Sequence, residues 1–187
     1  MKIGIFGGSF NPIHNSHLSV MNKVIAKNLV DEVWVMPCKK HPLDKFLDKE
    51  EDRVAMVKLA LAGLERIKFS DFELRKDGKS YTYDTLRKLK QKYPHNFSWI
   101  IGSDILKQIS TWHGYEHLQR EANFIVLRRE SYPIINPGIN IESSLDIPTE
   151  NISSTRIRER VRQGKPISNM VPKAVEDYII KSGLYQK

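Results

Sequence analysis

Short β-rich runs alternate along this chain with stretches of helical period. Lys2–Phe6 and Glu32–Met36 read as strands. Between them lies a helix over His17–Asn28, with Leu18, Met21, Val24 and Ile25 on one stripe. A second helix is predicted from about Glu50 to Ala62, with Val54, Val57 and Leu61 inward and Gly63 as its stop. Ile67–Leu74 reads as a strand. Thr82 is placed to cap a helix carrying Leu86, Leu89 and Tyr93, which Pro94 ends. Phe97–Ile101 and Asn123–Leu127 complete the buried-looking strands. Such alternation argues for an α/β fold, a Rossmann-like parallel sheet with helices on both faces.

From Ser131 to Glu150 the pattern fades. Pro133, Pro137, Gly138 and Pro148 suggest a loop, followed by a short strand near Leu145–Ile147. Two helices follow, Ser153–Arg162 and Pro172–Lys181, forming a small helical part from about residue 151 to 187. With 187 residues and 40% hydrophobic content, one domain spanning 1–187 is expected. No apolar stretch is long enough to cross a bilayer, no signal-peptide pattern opens the chain, and the single Cys38 permits no internal disulfide. A reducing cytoplasm is the expected home. The net charge of +8 favours anionic partners without choosing among nucleotides, nucleic acid and anionic membrane, and a solvated basic face would account for it equally.

The first candidate chemistry is Gly7-Gly8-Ser9-Phe10-Asn11-Pro12-Ile13-His14-Asn15-Ser16-His17, where the first strand leads into the first helix. Ligands of parallel sheets bind outside the carboxyl ends of the strands. Paired glycines suit a sharp turn with close backbone approach, and a helix N-terminus favours an anion. Neither GxGxxG nor GxxxxGK[ST] is present, which leaves hydride transfer and P-loop chemistry unsupported. His14 and His17, three apart, can project to one side of the crevice if helical geometry begins near Asn15. Imidazole donors there would stabilise charge growing on a phosphate under attack. Capping or packing, or a metal held by HxxH, are the competing readings. The metal reading lacks a third ligand.

The second is Asn151-Ile152-Ser153-Ser154-Thr155-Arg156-Ile157-Arg158. An ordinary N-cap by Ser153 or Ser154 would explain the hydroxyls. Arginines in a first turn oppose the helix dipole, and a bound polyphosphate would resolve that conflict.

Together these motifs resemble the nucleotidyltransferase superfamily with an (H/T)xGH signature and a C-terminal ISSTxIR motif, and within it the nicotinate-nucleotide (or nicotinamide-nucleotide) adenylyltransferases. The likeness runs through nearly the whole chain: GGSFNPIHNSH, Ser80-Tyr81-Thr82, Ile101-Gly102-Ser103-Asp104, Thr111-Trp112, Ile125–Arg129, ISSTRIR and the Val171–Tyr185 tail. It implies His14 and His17 as catalytic contacts to the ATP phosphates, with His17 nearest the α-phosphate. Gly8 and the Ser9-Phe10-Asn11 turn would touch phosphate or ribose. Gly102 and Asp104 would hold a ribose, and Ser153, Ser154, Thr155 and Arg158 the β- and γ-phosphates. Thr82 would recognise the nicotinyl group and Trp112 stack on the pyridine. The Pro37–Pro42 loop matches the family loosely and implies Lys40, or its neighbour Lys39, as a phosphate contact. Where the family usually has Gly and commonly Asp, this chain has Ser16 and Asn11.

The implied reaction transfers the adenylyl group of ATP to a pyridine mononucleotide, most naturally nicotinate mononucleotide, releasing pyrophosphate. Mg²⁺ is expected on phosphates and water, with no dedicated metal-ligand set in the protein. Neither nucleic acid nor membrane is an expected partner, and a homo-oligomer is left open. Rival readings are a different phosphate acceptor such as pantetheine phosphate, a basic nucleic-acid-binding protein, and a nucleotide sensor without turnover.

Overall fold

The computed structural model describes residues 1–147 and 152–186. Pro148–Glu150, the end of the expected loop, and Asn151, the head of the second motif, lie outside the described residues. The β-branched and aromatic runs form β1 (Lys2–Gly8), β2 (Glu32–Pro37), β3 (Ile67–Phe69), β4 (Asn96–Gly102), β5 (Asn123–Arg128) and β6 (Asn140–Asp146). Among the described residues they make a single sheet in the order β3-β2-β1-β4-β5-β6, every neighbouring pair parallel.

The helices are α1 (Asn15–Ala26), α2 (Glu50–Leu61), α3 (Thr82–Lys92), α4 (Tyr115–Glu121), α5 (Ser154–Arg162) and α6 (Lys173–Lys181). Strand side chains alternate between two cores, as a sheet covered on both faces requires. Val33, Val35, Ile100 and Ile125 pack under α1, α2, α5 and α6, through residues such as Met21, Val57, Ile157 and Ile179. Ile5, Met36, Trp99 and Phe124 pack under α3 and α4, through Leu86, Leu89 and Leu118.

Several boundaries differ from the sequence reading. β3 stops at Phe69 rather than Leu74, because Asp71 begins a turn, its carbonyl accepting from Leu74 N and Arg75 N. Tyr81, not Thr82, is the N-cap of α3, and Thr82 is its first helical residue. β6 starts at Asn140 and is longer than the strand expected at Leu145–Ile147. Its side chains are half-buried or exposed, and its register against β5 shifts at Phe124/Ile125, so its hydrophobic signal is faint. The inward face of α2 is Arg53, Met56, Val57, Ala60 and Leu61, with Val54 only half-buried. A charged residue therefore sits where an apolar one was expected. Gly7 and Gly8 remain in β1, and the left-handed turn falls on Phe10, at φ 47°.

Candidate functional site

Strand order runs outward in both directions from β1 and β4, so their carboxyl ends leave a crevice between them. A cavity of about 1000 Å³ opens there. Gly7 and Gly8 from β1, Ile100–Gly102 from β4, and Leu127 with Arg129 at the end of β5 form its floor. The first turn of α1 supplies His14, Ser16 and His17, and Ser153 approaches from the start of α5. Thr82 and Trp112 line it too. Of the residues singled out in the sequence, Gly8, His14, His17, Gly102, Ser153, Thr82 and Trp112 therefore share one cavity.

His14 is the N-cap of α1, and its backbone N–H donates to His17 Nδ1 at 3.2 Å. The accepting Nδ1 puts the proton of a neutral His17 on Nε2, which is the donor available to a ligand. The two imidazoles stack at 3.5 Å between centroids, and the rings of Phe6 and Phe10 meet His17 edge-on at 5.6 and 5.4 Å. Burial, and then the Arg129 guanidinium, lower His14 to about 4. Burial, then His14, then Arg129 hold His17 well below the ordinary histidine value. Both rings are thus neutral hydrogen-bond donors at pH 7, not cations. The hydroxyl of Ser16 is buried at the cavity wall with no hydrogen-bond partner in the protein.

At the end of β4 the chain enters a short 3₁₀ turn, Ser103–Ile105. A Cβ at Gly102 would lie 2.3 Å from Asp104 Oδ1, so a side chain there would push that carboxylate aside. Asp104 pairs with Arg129 Nε at 3.3 Å, and Ser103 Oγ accepts from the Arg129 backbone N–H at 3.0 Å. This places the Arg129 guanidinium at the floor of the cavity.

The second motif turns out to hold the first. Ser153 caps α5, its Oγ accepting from Arg156 N–H at 3.2 Å. Ser154 Oγ donates to the Pro12 carbonyl at 2.8 Å. Arg158 Nη1 donates to the Asn11 carbonyl at 2.8 Å, and its Nη2 to Thr155 Oγ1 at 3.3 Å. Ser9, Phe10, Asn11, Ser154, Thr155 and Arg158 are not among the residues that line the cavity. Phe10 is in the core, 3% exposed. Asp104 and Lys40 also lie off the lining, Lys40 being exposed beside Asp44 at 3.8 Å. From the same loop, His41 and Lys45 do line the cavity.

On the opposite wall, Thr82 opens α3 and Trp112 follows a second 3₁₀ turn, Ile109–Thr111. His113 lies over Tyr81 at 4.7 Å and His117 stacks on Tyr83 at 4.7 Å, docking this segment on the head of α3. Gly114, at φ 71°, makes that approach possible, since a Cβ would come within 2.6 Å of the Tyr83 ring. Behind Tyr81 the Thr85 hydroxyl donates to Glu73 Oε1 at 2.6 Å, and burial raises the pKa of this carboxyl.

Sequence reasoning assigned no role to Arg129, Lys45, His41, His113 or Glu73. Arg129 had a usable signal, a basic residue at the carboxyl end of a buried parallel strand. The others reach the cavity from loops and turns that carry no periodicity. Among the described residues no group of three or more His, Cys, Asp or Glu side chains is arranged to hold a metal ion. No helix among them is long and apolar enough to cross a membrane.

A parallel sheet with a cavity at its reversal point, and neutral histidines at the head of the first helix, fits the nucleotidyltransferase class. The cytidylyltransferase-like family model matches residues 5–160, and the chain belongs to that family. More particularly, it is 36% identical over 193 residues to the nicotinate-nucleotide adenylyltransferase of Bacillus subtilis, covering 99% of this chain and 98% of that one. Among solved structures, Plasmodium falciparum nicotinic acid mononucleotide adenylyltransferase complexed with NaAD is similar at TM-score 0.84 and 28% identity, covering 98% of this chain and 97% of that chain. The same enzyme complexed with APC gives TM-score 0.81 and 27% identity, covering 98% and 96%.

Proposed function

We propose that this protein transfers the adenylyl group of ATP to nicotinate mononucleotide, forming the dinucleotide and pyrophosphate in NAD biosynthesis. The observation that carries the reading is one cavity with two unlike walls. Neutral histidine donors stand on one side, and a helix N-terminus with an adjacent tryptophan stands on the other. Its volume is at the upper end of small-molecule sites, as two nucleotides bound together require.

A 5′-phosphate oxygen of the mononucleotide forms the new bond to the α-phosphorus, and the bond to the bridging oxygen of the β-phosphate breaks. Pyrophosphate leaves with the electron pair. The attacking oxygen is already anionic, so no general base is needed, and catalysis rests on positioning and charge stabilisation. His17 Nε2–H is the donor best disposed toward the α-phosphate oxygens, and Arg129 adds positive charge at the cavity floor. Mg²⁺ enters with ATP as the substrate complex. At the acceptor wall, Trp112 stacks on the pyridine, and the head of α3 with Thr82 favours a carboxylate over a carboxamide, since helix N-terminal amides and hydroxyls are donors.

The test is pyrophosphate release from ATP and Mg²⁺ with nicotinate mononucleotide, nicotinamide mononucleotide and pantetheine phosphate in parallel. The expected order of kcat/KM places nicotinate mononucleotide first. Faster turnover of pantetheine phosphate, or ATP binding with no release, overturns the reading.

A further inference from the structure

The Ser9–Pro12 turn, which delivers the chain into His14, has its oxygens held by side chains from well-separated parts of the sequence. Arg53 Nη1 donates to the Ser9 carbonyl at 2.8 Å. This arginine is 1% exposed and is itself steadied by Nε donating to the Asp48 carbonyl at 3.2 Å. Arg158 takes the Asn11 carbonyl and Ser154 the Pro12 carbonyl, each at 2.8 Å. The fourth hold comes from the C-terminal segment: the Tyr185 hydroxyl donates to Asn11 Oδ1 at 2.8 Å, in a buried contact.

Two features single out this last hold. Phe10 and Tyr185 both adopt left-handed backbone angles, φ 47° and 62°, which a residue with a Cβ adopts only when its surroundings impose them. The strained residues thus sit at both ends of the Asn11–Tyr185 contact. Burial, and then Asp48, also push the Tyr185 hydroxyl well above the ordinary phenol value, so it stays a donor across the working pH range. Ile13, fully buried, links Asn11–Pro12 rigidly to His14, whose N–H orients His17.

We propose that Tyr185 is a positioning residue for the transfer reaction. Through Asn11 it holds the Ser9–Pro12 turn, and with it the His14–His17 pair, in the geometry that the attacked phosphate needs. This rests on the adenylyl-transfer reading of the same cavity. Displacing donors by a fraction of an ångström lowers turnover more than it lowers binding. Its effect should therefore be on kcat.

Steady-state kinetics and thermal melting of Tyr185→Phe, Asn11→Ala, Asn11→Asp and the Tyr185→Phe/Asn11→Ala pair test it. Wild-type turnover reports on the underlying reading, and each variant's ratio to wild type reports on Tyr185. The expected result is a loss of about tenfold in kcat for Tyr185→Phe, with an unchanged KM for nicotinate mononucleotide. Asn11→Ala should lose a similar factor, and the pair no more than either alone, because one contact is removed once. Asn11→Asp keeps an oxygen acceptor and should retain turnover. A tyrosine that merely packs would lower the melting temperature and leave kcat per folded molecule alone. That outcome, or losses that multiply in the pair, overturns the proposal.

Discussion

At the histidine end of the cavity, the Ser9–His17 segment is held by Arg53, Ser154 and Arg158 through part-buried backbone oxygens, and by Tyr185 through the buried Asn11 side chain. At the Trp112 end, the chain runs through short 3₁₀ turns and docks on α3 by ring contacts and a His113–Asp84 approach of 3.9 Å. The first arrangement fixes atoms through directional bonds in a low-dielectric setting, where each is hard to move and expensive to lose. The second relies on ring contacts, which are less directional than hydrogen bonds. On the proposed reading, chemistry at the α-phosphate needs the former, and choice of an acceptor is served by the latter.

The largest effect expected from breaking this contrast is at His17. His17→Ala should lower kcat by roughly two orders of magnitude or more, the cost of one oxyanion donor, with a smaller change in ATP affinity. Near-normal turnover of that variant would remove His17 from the reaction.

Acid should find the same end of the molecule next. His14 is lowered to about 4 in the folded chain, while an unfolded histidine titrates near 6.5. Between those values the unfolded state binds more protons, so stability rises with pH through the window and levels off above it. Moving from pH 7 to pH 5 should remove on the order of 2 kcal/mol through His14 alone. His14→Gln should flatten the denaturation-midpoint profile over that interval, and an unchanged slope would contradict the burial assigned to the ring.

The Trp112 end is probed by Trp112→Ala, which should weaken the mononucleotide by roughly 1–3 kcal/mol, as loss of aromatic stacking does, and leave the KM for ATP nearly unmoved. Equal weakening of both substrates would mean that the two ends are mechanically one. The smallest effect concerns the loop after β2. Lys40→Ala, at an exposed position off the cavity, should change kcat/KM by less than about threefold, and Lys45→Ala should exceed it. The reverse ranking would favour Lys40 as the phosphate contact.

The same contrast governs what could be read in the sequence. Buried parallel strands announce themselves as continuous β-branched runs, so Lys2–Phe6, Glu32–Met36, Phe97–Ile101 and Asn123–Leu127 were legible to within two residues of β1, β2, β4 and β5. α4 was not, since Leu118 is its one buried residue and a single position has no period. β6 hid behind Pro137 and Gly138 with half-exposed side chains. In the site, His14 and His17 stood out because donors at a helix head after a buried strand have a chemical reason to be there. Arg53 did not, because nothing in one helix's pattern tells that its guanidinium is buried against a carbonyl forty-four residues away. Ser154 and Arg158 were legible as polar and anion-seeking; that they also donate to the Pro12 and Asn11 carbonyls was not, because those partners lie more than a hundred residues away in sequence.

Placing the cavity between β1 and β4 has a kinetic consequence. Ile3 pairs with Phe97 and Ile5 with Trp99, so the floor of the site closes only when strands from distant parts of the chain meet. Parallel pairings of that span form late, after the loop-closure entropy has been met. A half-folded chain carrying α1 and its histidines lacks the floor beneath them, Arg129 included. MgATP should therefore bind the completed sheet alone, slowing proteolysis of the whole chain by mass action rather than shielding a local segment.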